Sequence, residues 1–88
     1  MRQIVASIKI YPEDILISID QIKKEIESSL PKNSQVYKFV EEPIAFGLVA
    51  LIAHIILPEL EGQLEEIENI LQNVKGVGQI EVILVRKI

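Results

Sequence analysis

Few residues of this chain could do chemistry, and their spacing argues against most of what their types would allow. His54 is the only histidine, and there is no cysteine. Metal centres and nucleophilic triads need converging partners, and His54 has no second histidine or thiolate to join it. It lies inside the apolar run from Ile44 to Leu57, so a core or sheet-face position accounts for it better than a ligand role. Glu41 and Glu42 are a carboxylate pair in sequence only. Consecutive strand residues point to opposite faces, so the two cannot easily chelate one ion or flank one bond. Gly76-Val77-Gly78 follows a helical pattern and precedes a strand, the reverse of a nucleotide-binding loop. No Lys-Ser or Lys-Thr pair follows it, and a helix cap and turn explain both glycines. The acidic run from Glu59 to Glu68 reads as a solvated face. We therefore expect no bond chemistry, no metal and no cofactor, but a chain that works by binding another macromolecule.

Two features fit a purely structural account less well. Phe46 lies in an irregular apolar loop, Pro43-Ile44-Ala45-Phe46-Gly47, where Pro43 and Gly47 keep the backbone out of regular pairing. Loops run over the surface, so an apolar tip there is a candidate anchor for a partner's pocket. Folding of Phe46 back onto the core is the equal alternative. The second feature is the terminus, Val85-Arg86-Lys87-Ile88, where a strand pattern runs to the last residues and so implies a held end. A lysine in such a place is most often a solvated charge.

The elements that must position these residues are legible from periodicity. Ile4, Ala6, Ile8 and Ile10 alternate with Val5, Ser7, Lys9 and Tyr11, which predicts a strand over 3–11 with one face on a core. Pro12-Glu13-Asp14 then turns the chain. Ser18-Ile19-Asp20-Gln21 matches a capping box, with Ile17 and Ile22 at the two staple positions. Ile19, Ile22, Ile26 and Leu30 then line one face of a helix that Pro31 closes. A second strand is expected over 35–42, and a third over 48–57, apolar on both faces and so central in a sheet. The segment 59–73 reads as a second amphipathic helix, with Gly76 expected as its C′ residue. A last strand follows over about 79–86, with Ile80, Val82 and Leu84 on one face and Glu81, Ile83 and Val85 on the other. The order βαββαβ, with right-handed crossovers, predicts an α+β ferredoxin-like sandwich: a four-stranded antiparallel sheet with both helices on one face. The other face is left open. Weak self-association or partner docking through it are both compatible with the sequence.

Composition narrows the classes further. Eighty-eight residues suit a single domain over 1–88. The net charge is −4 and the nine Lys and Arg are scattered, whereas nucleic-acid binders cluster cations to displace phosphate counterions. Direct nucleic-acid binding is not expected, and the third strand lacks the aromatics on which RNA-recognition sheets stack bases. The N-terminal stretch lacks a signal peptide's apolar run, and no segment is long enough to span a bilayer. Without cysteine, a cytoplasmic setting is the natural expectation. A small effector-binding domain would want a polar, Gly-rich loop after the first strand, where Pro12-Glu13-Asp14 stands instead.

The stretch Glu41-Glu42-Pro43-Ile44-Ala45-Phe46-Gly47-Leu48, continued by Ala50-Leu51, together with the chain length and a penultimate Lys87, resembles the archaeal translation elongation factor 1-beta family. That family corresponds to the C-terminal exchange domain of eukaryotic elongation factor 1-beta subunits, and the resemblance covers essentially the whole chain. It implies the same βαββαβ fold and a guanine-nucleotide exchange function, releasing GDP from the GTPase elongation factor 1-alpha. It further implies that Phe46 enters an apolar pocket on the GTPase, with Pro43, Ile44 and Gly47 shaping its loop. Lys87, with Ile88 beside it, would project toward the GTPase's magnesium and phosphate site. Family members commonly carry a lysine where this chain has Val49, so no contact made by that lysine is expected here.

Overall fold

Successive side chains point to opposite sides of a strand, so every strand has two faces, and the sheet follows from burying one face of each. The computed structural model describes residues 2–88. Its elements are β1 (Gln3–Pro12), α1 (Ile19–Ser29), β2 (Gln35–Pro43), a one-turn 3₁₀ segment (Ala45–Gly47), β3 (Val49–Pro58), α2 (Gln63–Gln72) and β4 (Val77–Lys87). The strands form one antiparallel sheet in the order β2-β3-β1-β4. This is the ferredoxin-like βαββαβ arrangement. β3 is central, the position its apolar character on both faces suits, and β1 lies beside it.

Ile4, Ala6, Ile8 and Ile10 of β1 and Leu51, Ala53, Ile55 and Leu57 of β3 meet Ile22 and Ile26 of α1 and Ile67 and Leu71 of α2 in one buried cluster. Both helices therefore cover one sheet face. Ser18 caps α1, its hydroxyl accepting from the Gln21 N–H at 3.2 Å. The Gln21 side chain does not reach back to close the capping box, but lies toward Glu25 instead.

Several boundaries differ from those read in the sequence. α2 starts only at Gln63, after a left-handed Gly62 that supplies no side-chain cap. Glu59 and Glu61 therefore precede the helix, and only Glu65 and Glu66 stand in its first turn. Gly76 is not the C′ residue: Asn73 is the C-cap, and Gly76, at φ 93°, makes the left-handed turn that enters β4.

The consequential difference is in β4. A bulge falls between the Ser7–Leu84 and Ile8–Val82 pairs, with Ile83 the extra residue. Directly opposed residues share a face, and one extra residue reverses every side chain beyond it. Leu84, expected with Ile80 and Val82 on the core face, pairs with Ser7 and lies on the open face. Val85 pairs with Ala6 and returns to the helix side. A second bulge, at Tyr37, separates the Val36–Ile55 and Lys38–His54 pairs of β2.

Candidate partner-binding site

Two exposed probes sit at opposite ends of the sheet. The first is carried by the β2–β3 hairpin. Pro43 ends β2 opposite Val49, and the Ile44 N–H donates to the Leu48 carbonyl at 2.8 Å, closing the loop. The Leu48 N–H donates back to the Ala45 carbonyl at 3.3 Å. Between these bonds Phe46 adopts φ 61°, ψ 33°, and Gly47 φ 79°. Two successive left-handed residues are needed to turn the chain. Glycine takes that conformation freely, whereas an L-residue with a Cβ is disfavoured there by about 1–2 kcal/mol. Phe46 is nonetheless the residue used, and it is 94% exposed. Of the two positions open to it from sequence, core or surface, it takes the surface.

The second probe is Lys87. The terminus is held: the Ile88 N–H donates to the Gln3 carbonyl at 3.1 Å. Lys87 pairs with Ile4, so the bulge at Ile83 turns it to the helix side of the sheet. There its ammonium lies 3.5 Å from Glu59 in the segment after β3, with 62% of the side chain exposed. Arg86, one residue earlier, pairs with Val5 on the open face. Arg86, Lys87 and Ile88 border a shallow cavity of about 300 Å³ with Val5, Tyr37 and Ile56. The sequence-derived set thus separates. Pro43, Ile44, Phe46 and Gly47 form one end, Lys87 and Ile88 the other, and the rows from Ile4 to Pro12 between them span roughly 26 Å at the usual strand rise.

The acidic pair behaves as strand alternation requires. Glu41 meets Lys23 of α1 at 2.9 Å on the helix side, while Glu42 pairs with Lys9 on the open face. Each lysine's pKa is raised, chiefly by the hydrogen bond to its glutamate. His54 lies on the open face, where the Ser7 hydroxyl is 2.7 Å from its Nδ1. Burial holds its pKa below the usual imidazole value, and the charges of Lys38 and Arg86 add to this. This Ser–His contact is one that sequence reasoning missed, because it arises from the β1–β3 register. Ser7 is only 6% exposed, so a substrate carbonyl has little access to its hydroxyl, and the bond ties two strands. Among the described residues no group of three or more His, Cys, Asp or Glu could hold a metal. Among the described residues no helix is long and apolar enough to cross a membrane.

The profile of the EF-1 guanine nucleotide exchange domain matches residues 5–88. The chain is 41% identical over 88 residues to the elongation factor 1-beta of Methanothermobacter thermautotrophicus, covering 100% of this chain and 99% of that protein. It is 42% identical over 89 residues to the elongation factor 1-beta of Staphylothermus marinus, with the same coverage. The fold is also similar to that of the C-terminal domain of the MgtC protein from Mycobacterium tuberculosis. The TM-score there is 0.59 at 15% identity, over 98% of this chain and 87% of that one, a likeness of fold alone.

Proposed function

This chain belongs to the EF-1 guanine nucleotide exchange domain family, and from that premise we propose that it releases GDP from elongation factor 1-alpha by binding alone, in the cytoplasm. Membership assigns a nucleotide-exchange role in translation elongation. The observation that carries the finer reading is Phe46: a 94% exposed residue held in a left-handed, hydrogen-bonded turn. An aromatic side chain presented outward on a fixed backbone suits insertion into an apolar pocket, because little backbone freedom remains to be lost on binding.

Lys87 supplies the second contact. GTPases secure their nucleotide through Mg²⁺ held by the phosphates and a P-loop hydroxyl, and a lysine ammonium is a compact cation able to compete for the same oxygens. The ammonium must leave Glu59 to do so. That exchange of partners is inexpensive, since exposed ion pairs contribute about 0–1 kcal/mol. Exchange itself follows from linkage: a partner that binds the nucleotide-free GTPase more tightly must weaken nucleotide binding by the same factor. Pro43, Ile44 and Gly47 set the turn, and Ile88 anchors the strand end that presents Lys87.

The test is release of a fluorescent GDP analogue from the cognate elongation factor 1-alpha in excess GDP, with wild-type protein, Phe46→Ala and Lys87→Ala. Burying a phenylalanine side chain contributes about 1.5–3 kcal/mol, so Phe46→Ala is expected to weaken binding roughly 10- to 100-fold. Lys87→Ala is expected to bind but to lose most of the acceleration. Unchanged release with wild-type protein would overturn the proposal.

A further inference from the structure

The β1–α1 loop leaves two large aliphatic side chains in water beside the Phe46 turn: Ile15 is 62% exposed and Leu16 88%. This is not a slack loop. The Glu13 N–H donates to the Gly76 carbonyl at 2.9 Å, and the Ile17 N–H donates to the Asp14 carbonyl at 3.3 Å. The Asp14 carboxylate accepts from the Leu16 N–H at 2.8 Å. Ile17 packs inward, its Cγ2 only 2.7 Å from where a Cβ on Gly76 would stand. With Ile17 filling the inward position, the pinned backbone turns Ile15 and Leu16 out.

Their neighbourhood says what covers them. A Cβ built on Gly47 would lie 3.9 Å from the Ile15 Cγ2, so Ile15 stands against the turn that carries Phe46. Leu16 stands further along the same end, at the lip of a groove that reaches Gln21 and Lys75. A surface that closes over the exposed Phe46 side chain meets the same end of the sheet, where Ile15 lies against the turn that carries it. Three exposed apolar side chains on two loops at one end of the sheet, each loop held by its own hydrogen bonds, are a grouping of the kind that marks an interaction site.

We propose that Ile15 and Leu16 extend the Phe46 contact into one apolar platform, and that its occupant is the same elongation-factor GTPase. This rests on the proposed function above. The partner's complementary surface is then a pocket for one aromatic ring continued by an apolar shelf for two aliphatic side chains. Ile15 and Leu16 set affinity for the partner, while the release step belongs to the opposite end of the molecule.

The test compares wild type, Ile15→Ser/Leu16→Ser, Ile15→Val/Leu16→Met and Phe46→Ala. Each is titrated against the cognate elongation factor 1-alpha in the GDP-analogue release assay, with thermal unfolding and sedimentation run alongside. The serine variant is expected to unfold at the wild-type temperature, to need at least tenfold more protein for half-maximal release, and to reach the wild-type rate at saturation. The conservative variant should restore the wild-type midpoint. If the serine variant titrates like wild type while Phe46→Ala does not, the platform is wrong and the ring acts alone. If neither variant changes the titration, the reading of Phe46 fails with it. If wild type self-associates, the serine variant does not, and release is unaffected, the patch is a contact between copies and the proposal falls.

Discussion

Phe46 combines two things a folded chain ordinarily avoids, a left-handed backbone at a residue with a Cβ and a large apolar side chain in water. Neither stabilises the free protein, so relieving the backbone should. Phe46→Gly is expected to raise unfolding stability by about 0.5 kcal/mol, the relief of left-handed strain offset in part by the greater freedom of glycine in the unfolded chain. The same variant should lose exchange activity. Urea denaturation checks the first outcome, and a drop in stability would mean that the ring packs usefully after all. His54 makes a separate residue-scale prediction. Its folded pKa lies below the ordinary 6.5 because of burial, then Lys38 and Arg86. The unfolded state therefore binds the proton first as pH falls. The stability His54 contributes is present above about pH 6.5 and is lost as pH drops toward the lower folded value. His54→Gln should flatten the stability profile across that window. An unchanged profile would count against the depressed pKa.

At the scale of elements, the turn between α2 and β4 holds the β1–α1 loop in place. Gly76 is at φ 93°, and an added Cβ would meet Ile17 Cγ2 at 2.7 Å. Gly76→Ala combines left-handed strain with a clash against a β-branched side chain, and is expected to destabilise by about 2–3 kcal/mol. Gly62→Ala shares the positive φ, 83°, but would meet nothing within 4 Å, and should cost only the strain, about 1 kcal/mol. Thermal unfolding of the pair separates the two effects. Equal losses would show that the Ile17 contact yields easily. The same contact explains why the loop has so little freedom: its backbone bonds to Gly76 and its inward isoleucine lies against that residue.

At the scale of the whole molecule, the probes stand at opposite ends of a body 42 Å long and 20 Å by 18 Å across. Among the described residues they share no side-chain partner: Lys87 meets Glu59, and Phe46 sits on its own hairpin. Groups separated by more than about 10 Å without common neighbours act independently, their effects adding within about 0.5 kcal/mol. Phe46→Ala and Lys87→Ala should therefore be additive in the free energy of binding to the nucleotide-free GTPase. A coupling energy above 1 kcal/mol would mean that the sheet transmits between its ends, or that binding at one end reshapes the other.

Much of this was written into local pattern. Alternation over Ile4, Ala6, Ile8 and Ile10 specifies a strand with one buried face, and Ser18 with the isoleucines around it specifies where α1 begins and which side it buries. The loop segment from Pro43 to Gly47 marked itself by composition, and the family resemblance gave it an expected role in partner binding. These features depend on residues within a few positions of one another. What local pattern could not decide depends on partners far along the chain. Phe46 had two equal destinations until the hairpin bonds and the left-handed turn sent it outward. Ser7 and His54 meet only because β1 and β3 pair in one register. Lys87 is the clearest case. Strict alternation from Ile80 would place it on the open face, and the single extra residue at Ile83 places it beside Glu59 on the helix side instead. A bulge is set by how two strands fit together, so the face on which that ammonium emerges was settled by tertiary pairing alone.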